Sequence, residues 1–276
     1  MIRALAALAL AAAALPAQAA DRVVSLGGAV TEIVVALGEA DRLVARDTTS
    51  SWPEAVTALP DVGYVRRLSA EGVLSVAPDL ILAEEGAGPP EAVDLLKSAA
   101  VPFVEVPDGY DRDAVIAKIE VVAKALGVPE KGAALAADVG RALDDAAAQA
   151  ADGPARRVLF VLSVQGGRLL ASGRDTAADG IIRLAGGVNA IEDFEGYKPL
   201  TDEAVTRAAP DVILMMAREG AEDLAPEVLA LPAVRTTPAA ASGALVSMDG
   251  LYLLGFGPRT AQAVRDLSDA LDRAGS

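Results

Sequence analysis

The 276-residue chain is 53% hydrophobic and 23% charged, which excludes wholesale disorder and supplies a core for one large domain or two ordinary ones. Its 39 acidic against 24 basic residues leave a formal net charge of −15, a surface that repels phosphate backbones and argues against nucleic-acid binding. It has no His and no Cys, so a Ser-His-Asp triad, His-ligated zinc, thiolate chemistry, Fe–S clusters and disulfides are all excluded.

Met1-Ile2-Arg3, the Ala/Leu run from Ala4 to Leu15, Pro16 and Ala17-Gln18-Ala19 read as a secretory signal over residues 1–20. The apolar run is too short for a membrane span, which needs about 20 residues. No Cys is present to carry a lipid, so the expectation is a soluble periplasmic protein and not a lipoprotein. Next, Arg22 to Leu26 is a predicted strand, followed by Gly27-Gly28 and a helix from about Val30 to Leu37 closed by Gly38. Residues 68–82 (LSAEGVLSVAPDLIL) then predict a short helix capped by Ser69 and a buried strand from Leu80. Ala77-Pro78-Asp79 is expected to end that helix, because a residue before Pro avoids helical angles. Val101 to Val106 is a further strand. Gly127-Val128-Pro129 punctuates the Ala- and Glu-rich stretch 111–152, and one helix runs from Pro129 to about Ala148. Beyond it come a strand from Arg157 to Leu162 and a helix from Asp179 to Leu184 stopped by Gly186-Gly187.

Residues 200–214 (LTDEAVTRAAPDVIL) repeat residues 68–82 at eight of fifteen positions, offset by 132 residues. A unit repeated once at domain-sized spacing predicts an α/β fold of two similar Rossmann-like lobes joined by one long backbone helix. The expected boundaries are 21–128 for the N-terminal lobe, 129–152 for the linking helix and 153–276 for the C-terminal lobe. A helical strut, unlike a Gly/Ser linker, would restrict the lobes to small rocking motions.

Aromatic residues make up only 3% of the chain, so each Tyr bears attention. Tyr64 sits in Gly63-Tyr64-Val65-Arg66-Arg67, just before the first repeat. A phenolate suits ferric iron, and a neighbouring guanidinium favours its ionised form. The same residues also read as a loop tyrosine beside solvent-exposed arginines. Tyr197 and Lys198 stand near the equivalent point before the second repeat, where a turn with a half-buried Tyr is the alternative. Arg218, past the second repeat strand, is expected at the cleft because ligands gather beyond strand carboxyl ends. No enzyme signature is found. Gly255-Phe256-Gly257-Pro258 is not a dinucleotide fingerprint, there is no P-loop or G-x-S-x-G elbow, and Glu84-Glu85 reads as surface acid.

The leader, the paired L-[ST]-x-E…A-P-D-x-I-L units, the central helix and the Gly-Tyr-x-Arg segment resemble the haem-binding branch of the periplasmic binding proteins that serve ABC importers. The resemblance runs over essentially the whole mature chain, including Arg168 to Thr176 and Gly255 to Thr260. It implies a non-enzymatic protein that carries haem as cargo, with Tyr64 as axial iron ligand and Arg66 supporting the tyrosinate or the propionates. Arg67, Tyr197, Lys198 and Arg218 are the further candidates for haem contact. Glu71 and Glu203, one per lobe, are implied to dock on an inner-membrane permease that works with its ATPase. Some relatives supply a second ligand from a His in the C-terminal lobe. This chain reads Ser163-Val164-Gln165-Gly166-Gly167 there, so single-Tyr, five-coordinate iron or a sixth ligand of another kind is expected. The expected protein is monomeric, with a ferric siderophore or a cobalamin-like ligand as the alternative cargo.

Overall fold

Val23-Val24-Ser25-Leu26 is apolar enough to be buried on both faces, as parallel strands between helical layers are, and it forms the central strand β1 (Val23–Leu26). A computed structural model describes residues 20–217 and 224–274; the expected leader and Arg218 lie outside the described residues. The chain continues through α1 (Gly28–Ala36), β2 (Leu43–Arg46), α2 (Ala70–Leu74), β3 (Leu80–Glu84), α3 (Pro90–Ser98), β4 (Phe103–Val106), α4 (Arg112–Ala125) and α5 (Pro129–Ala150). There follow β5 (Arg157–Gln165), β6 (Arg168–Ser172), α6 (Ala177–Leu184), β7 (Val188–Asn189), β8 (Tyr197–Pro199), α7 (Asp202–Ala208) and β9 (Val212–Ala217). The last described elements are α8 (Ala225–Ala230), α9 (Pro238–Ser242), β10 (Leu245–Asp249), α10 (Gly250–Leu254) and α11 (Thr260–Ala274). The first sheet is parallel in the order β2-β1-β3-β4; the second runs β10-β9-β5-β6-β8, with β7 pairing β5.

The repeat carries the same local architecture twice. Ser69 Oγ accepts from Gly72 N at 3.3 Å, and Thr201 Oγ1 accepts from Ala204 N at 3.2 Å, each capping its helix. Both helices end before the Ala-Pro-Asp proline, as expected. Ala77 and Ala209 adopt left-handed φ, 48° and 40°, which turns the helix end sharply into the following strand. The strain is offset by an ion-assisted clasp that also repeats. Asp79 Oδ1 accepts from Arg22 N, and Asp211 Oδ2 accepts from Arg157 N, both at 2.9 Å. Arg22 Nε then donates to Ala77 O at 2.8 Å and Arg157 Nε to Ala208 O at 3.1 Å, tying each helix end to the first strand of its own sheet.

The sheets differ in one respect that the repeat did not predict. β6 turns back antiparallel on β5 through Gly166 and Gly167, whose φ values of 57° and 77° suit a two-residue type I′ hairpin. β8 then adds antiparallel to β6, bringing Tyr197 opposite Ser172.

Alternation along the strands divides the packing. Val24 and Ile81 face outward onto Val73 of α2 and Leu96 of α3, while Leu159 and Ile213 face outward onto Val205 and Val234. The inner faces share one core: Val23 and Leu82 of the first sheet, Val158, Phe160 and Leu214 of the second, Leu143 of α5 and Leu267 of α11. One continuous core across both sheets makes the strut part of a single packed body. Its buried face, Gly132, Ala136, Val139, Gly140, Leu143, Ala146 and Ala150, follows helical spacing and is mostly small, which lets α5 approach α4 closely. A methyl group on Gly132 would fall on the Ala123 methyl. Gly132→Ala should therefore lower the melting temperature, because overpacking costs about 1–3 kcal/mol and exceeds the up to ~1 kcal/mol of helix propensity gained. Thermal denaturation checks this; a higher melting temperature would contradict it.

Candidate functional site

Ligands of open parallel sheets gather in a crevice at the strand carboxyl ends, and here the segment after β4 meets the second half of the chain, with Tyr110 against Gly180 of α6 and within electrostatic reach of Tyr197 on β8. The segment before α2 is fastened there by backbone bonds. Gly63, at φ 103°, donates from its N–H to Asp61 Oδ1 at 2.8 Å, and its carbonyl accepts from Thr48 N at 3.0 Å. Arg67 N closes a turn on Tyr64 O at 2.7 Å, while the buried Val65 and Leu68 pin that turn to the loop after β3 through Gly88. The outcome is a rigid backbone presenting Tyr64, whose ring stays 46% exposed.

Arg66 reaches back over the end of β3. Its Nη1 donates to Gly86 O at 2.6 Å and its Nη2 lies 3.4 Å from Glu84 Oε1. Burial pushes the Glu84 carboxyl up to about 7, Arg66 pulling it down while Asp108 and Asp47 push it up. Asp108 accepts from Lys118 Nζ at 2.9 Å and from the Tyr110 hydroxyl at 3.0 Å. Burial opposes its ionisation most strongly, but the Lys118 ammonium, the Gly109 N–H and the Tyr110 hydroxyl together hold the carboxyl below its ordinary value. Across the crevice, Tyr197 lies edge-on to Phe160 at 6.3 Å between ring centres. Burial raises its phenol, against the Thr176 hydroxyl and the Ala178 N–H at the start of α6. Tyr110 feels both Arg66 and Tyr197, and Tyr197 feels Asp108, so residues from both sheets share one electrostatic neighbourhood.

The four tyrosines therefore differ in kind. Burial pushes the phenols of Tyr110, Tyr197 and Tyr252 upward, the first and last also through hydrogen bonds to Asp108 and Asp266. Tyr64 is the most exposed of them. Arg67 is exposed beside it, and Lys198 is exposed with its Nζ 5.1 Å from the Phe194 ring centre. Glu71 and Glu203 are exposed in the first turns of α2 and α7. The Glu203 carboxyl is held below its ordinary value by its own N–H and by Thr201. Glu84 corrects an expectation: it is no loose surface acid but the partner of Arg66, with a side chain only a quarter exposed. Asp108, Tyr110 and Lys118 were missed altogether. The Asp108–Lys118 spacing of ten residues resembles no motif, and only the turn into α4 brings the pair together. A groove of about 860 Å³ beside β10 and α11 is lined by Tyr252 and Asp266 but by none of the predicted site residues.

The periplasmic binding protein family model matches residues 23–251, which includes the strands of both sheets. The chain belongs to the periplasmic binding protein family. Among solved structures, this binding protein is similar to the periplasmic heme-binding protein BhuT in complex with two hemes. The two are 44% identical, with 92% of this chain and 99% of the other covered and a TM-score of 0.87. It is 28% identical over 197 residues to an uncharacterized ABC transporter substrate-binding lipoprotein of Bacillus subtilis (strain 168), covering 70% of this chain and 62% of the lipoprotein. The chain thus spans less than two thirds of that relative's length. A vitamin B12-binding protein of Yersinia pestis (strain Pestoides F) is 29% identical over 211 residues, 76% of this chain and 74% of the other. No helix among the described residues is long and apolar enough to cross a membrane.

Proposed function

We propose that this chain captures haem in the periplasm, in the crevice between its two sheets, and hands it to an ABC permease. Tyr64 would bind the iron, and Arg66, Arg67, Tyr197, Lys198 and Arg218 would surround the porphyrin and its propionates. The observation that carries the reading is the rigidly mounted, exposed Tyr64, two residues from Arg66, at the carboxyl end of the parallel sheet. A single phenolate leaves most of an iron's coordination positions open, so the iron must arrive in its own chelator; a flat macrocycle fills the remaining in-plane positions. The 44% identical heme-binding protein supports haem as that chelate. The vitamin B12-binding relatives favour a second reading, a cobalamin. The chain acts as a monomer that binds and releases, without catalysis.

Titrating the purified protein with hemin, cyanocobalamin and a ferric siderophore in parallel tests the cargo. Saturable binding of hemin alone is expected; saturation by cyanocobalamin with no uptake of hemin would overturn the haem reading.

Delivery needs a docking face. Glu71 and Glu203 stand exposed on matching first turns of the two repeat helices, and each would enter a basic pocket of the permease. Glu203→Lys is expected to reduce stimulation of the transporter's ATPase severalfold while hemin affinity stays unchanged. Full stimulation by the variant would remove the docking role.

A further inference from the structure

Arg66 is already engaged before any ligand is considered. Gly86 O and Glu84 Oε1 hold its guanidinium, yet the side chain remains 43% exposed. The groups around Glu84 are mostly of its own sign. Asp47, after β2, and Asp108, before α4, both press on it. Lys118 of α4 is the other nearby cation and is already paired with Asp108 at 2.9 Å. The neighbouring Glu85 is turned to Asp108 N at 3.0 Å. From the α1 side the backbone of Gly27 approaches, and any side chain there would strike the Glu84 carboxylate.

We propose that Glu84 is a positioning residue that stands in for the ligand's carboxylate. It holds the Arg66 guanidinium in the open site, yields it to an anionic group of the ligand, and takes up a proton from solvent as it is displaced. The inference rests on the haem reading, whose propionates supply that anion. The balance is simple. The ligand carboxylate enters ionised, Arg66 stays charged throughout, and one Glu84 oxygen gains a proton from water. With Arg66 beside it, burial already lifts the Glu84 carboxyl to about 7. Once Arg66 turns to another anion, burial, Asp108 and Asp47 all act in the same upward direction. Above about pH 7 the open protein then holds Glu84 ionised and the loaded protein holds it protonated, so affinity must fall as pH rises.

The test compares hemin affinity of the wild type and Glu84→Gln between about pH 6 and pH 9. Any proton exchanged at the iron is common to both proteins and cancels in the ratio. The wild type is expected to lose affinity relative to Glu84→Gln above about pH 7, by up to about tenfold per pH unit for one linked proton. Adding Glu84→Gln to Arg66→Gln should leave that variant's pH profile unchanged. Parallel profiles for wild type and Glu84→Gln, with hemin still bound, would overturn the inference and leave the haem reading standing. Should Glu84→Gln fail to fold, an indicator-dye measurement near pH 8 decides instead. More protons taken up per hemin by the wild type than by Arg66→Gln supports the inference, and equal uptake overturns it. A wild type that takes up no hemin removes both readings together.

Discussion

Arg259→Ala should cost about 3–5 kcal/mol of stability, the scale for removing one partner of a buried ion pair. Arg259 enters the structure just before α11, yet its guanidinium grips Glu32 of α1 with two hydrogen bonds, one of 3.1 Å from Nε. Glu32 is buried and its carboxyl is raised by that burial, against the pull of Arg259. The guanidinium also lies 4.5 Å from the Trp52 ring centre and 5.0 Å from that of Tyr252, so one side chain joins the first sheet's loops to the C-terminal helices. Without Arg259 the carboxylate would have to be neutralised where it sits. A carboxyl whose folded pKa is raised contributes stability at low pH that is lost as pH rises through that value. The loss on substitution should therefore be smaller near pH 5 than near pH 8. Urea denaturation at both values, followed by the emission of the only tryptophan in the chain, checks the size and the sign. A change below about 1 kcal/mol, the range of a surface pair, would contradict the assignment.

Tyr64→Ala is expected to weaken hemin binding by more than the ~10–100-fold that loss of a mere outer-shell partner costs a metal site. Tyr64 is nearly half exposed and its removal leaves no buried void, so the variant should unfold at the same temperature as the wild type. Tyr110→Ala offers the contrast. Its ring packs edge-on to Phe256 at 5.6 Å and its backbone lies against Gly180, so that substitution should lower stability as well as binding. Calorimetry and hemin titration of the two variants separate an iron ligand from a wall residue. Equal hemin affinity of Tyr64→Ala and the wild type would remove Tyr64 from the iron.

The features readable in the sequence are those set by neighbouring residues. The caps Ser69 and Thr201, the Pro129 start of α5 and the apolar runs of β3 and β9 each follow from a few adjacent side chains. The repeat extended that local information to the pairing of two sheets. What escaped depends on distance. Glu32 and Arg259 are 227 residues apart, and Arg22 meets Asp79 only after a full strand-helix-strand circuit. Glu84 could not be told from its neighbour Glu85, because adjacent acidic residues look alike until strand alternation turns one toward the crevice. The left-handed Ala77 and Ala209 run against the local preference of a residue before proline. Tertiary contacts through Asp79 and Asp211 override it. The β6 hairpin lies in Gly166-Gly167, a two-glycine turn signal between two apolar runs.

Everything proposed for the crevice depends on a phenolate oxygen meeting iron. The most direct measurement is the visible absorption spectrum of the hemin-loaded protein beside that of its Tyr64→Phe variant, which keeps the ring and loses only the oxygen. The wild type should have a tyrosinate-to-iron charge-transfer band that is absent from Tyr64→Phe. The same band in both proteins would contradict the account.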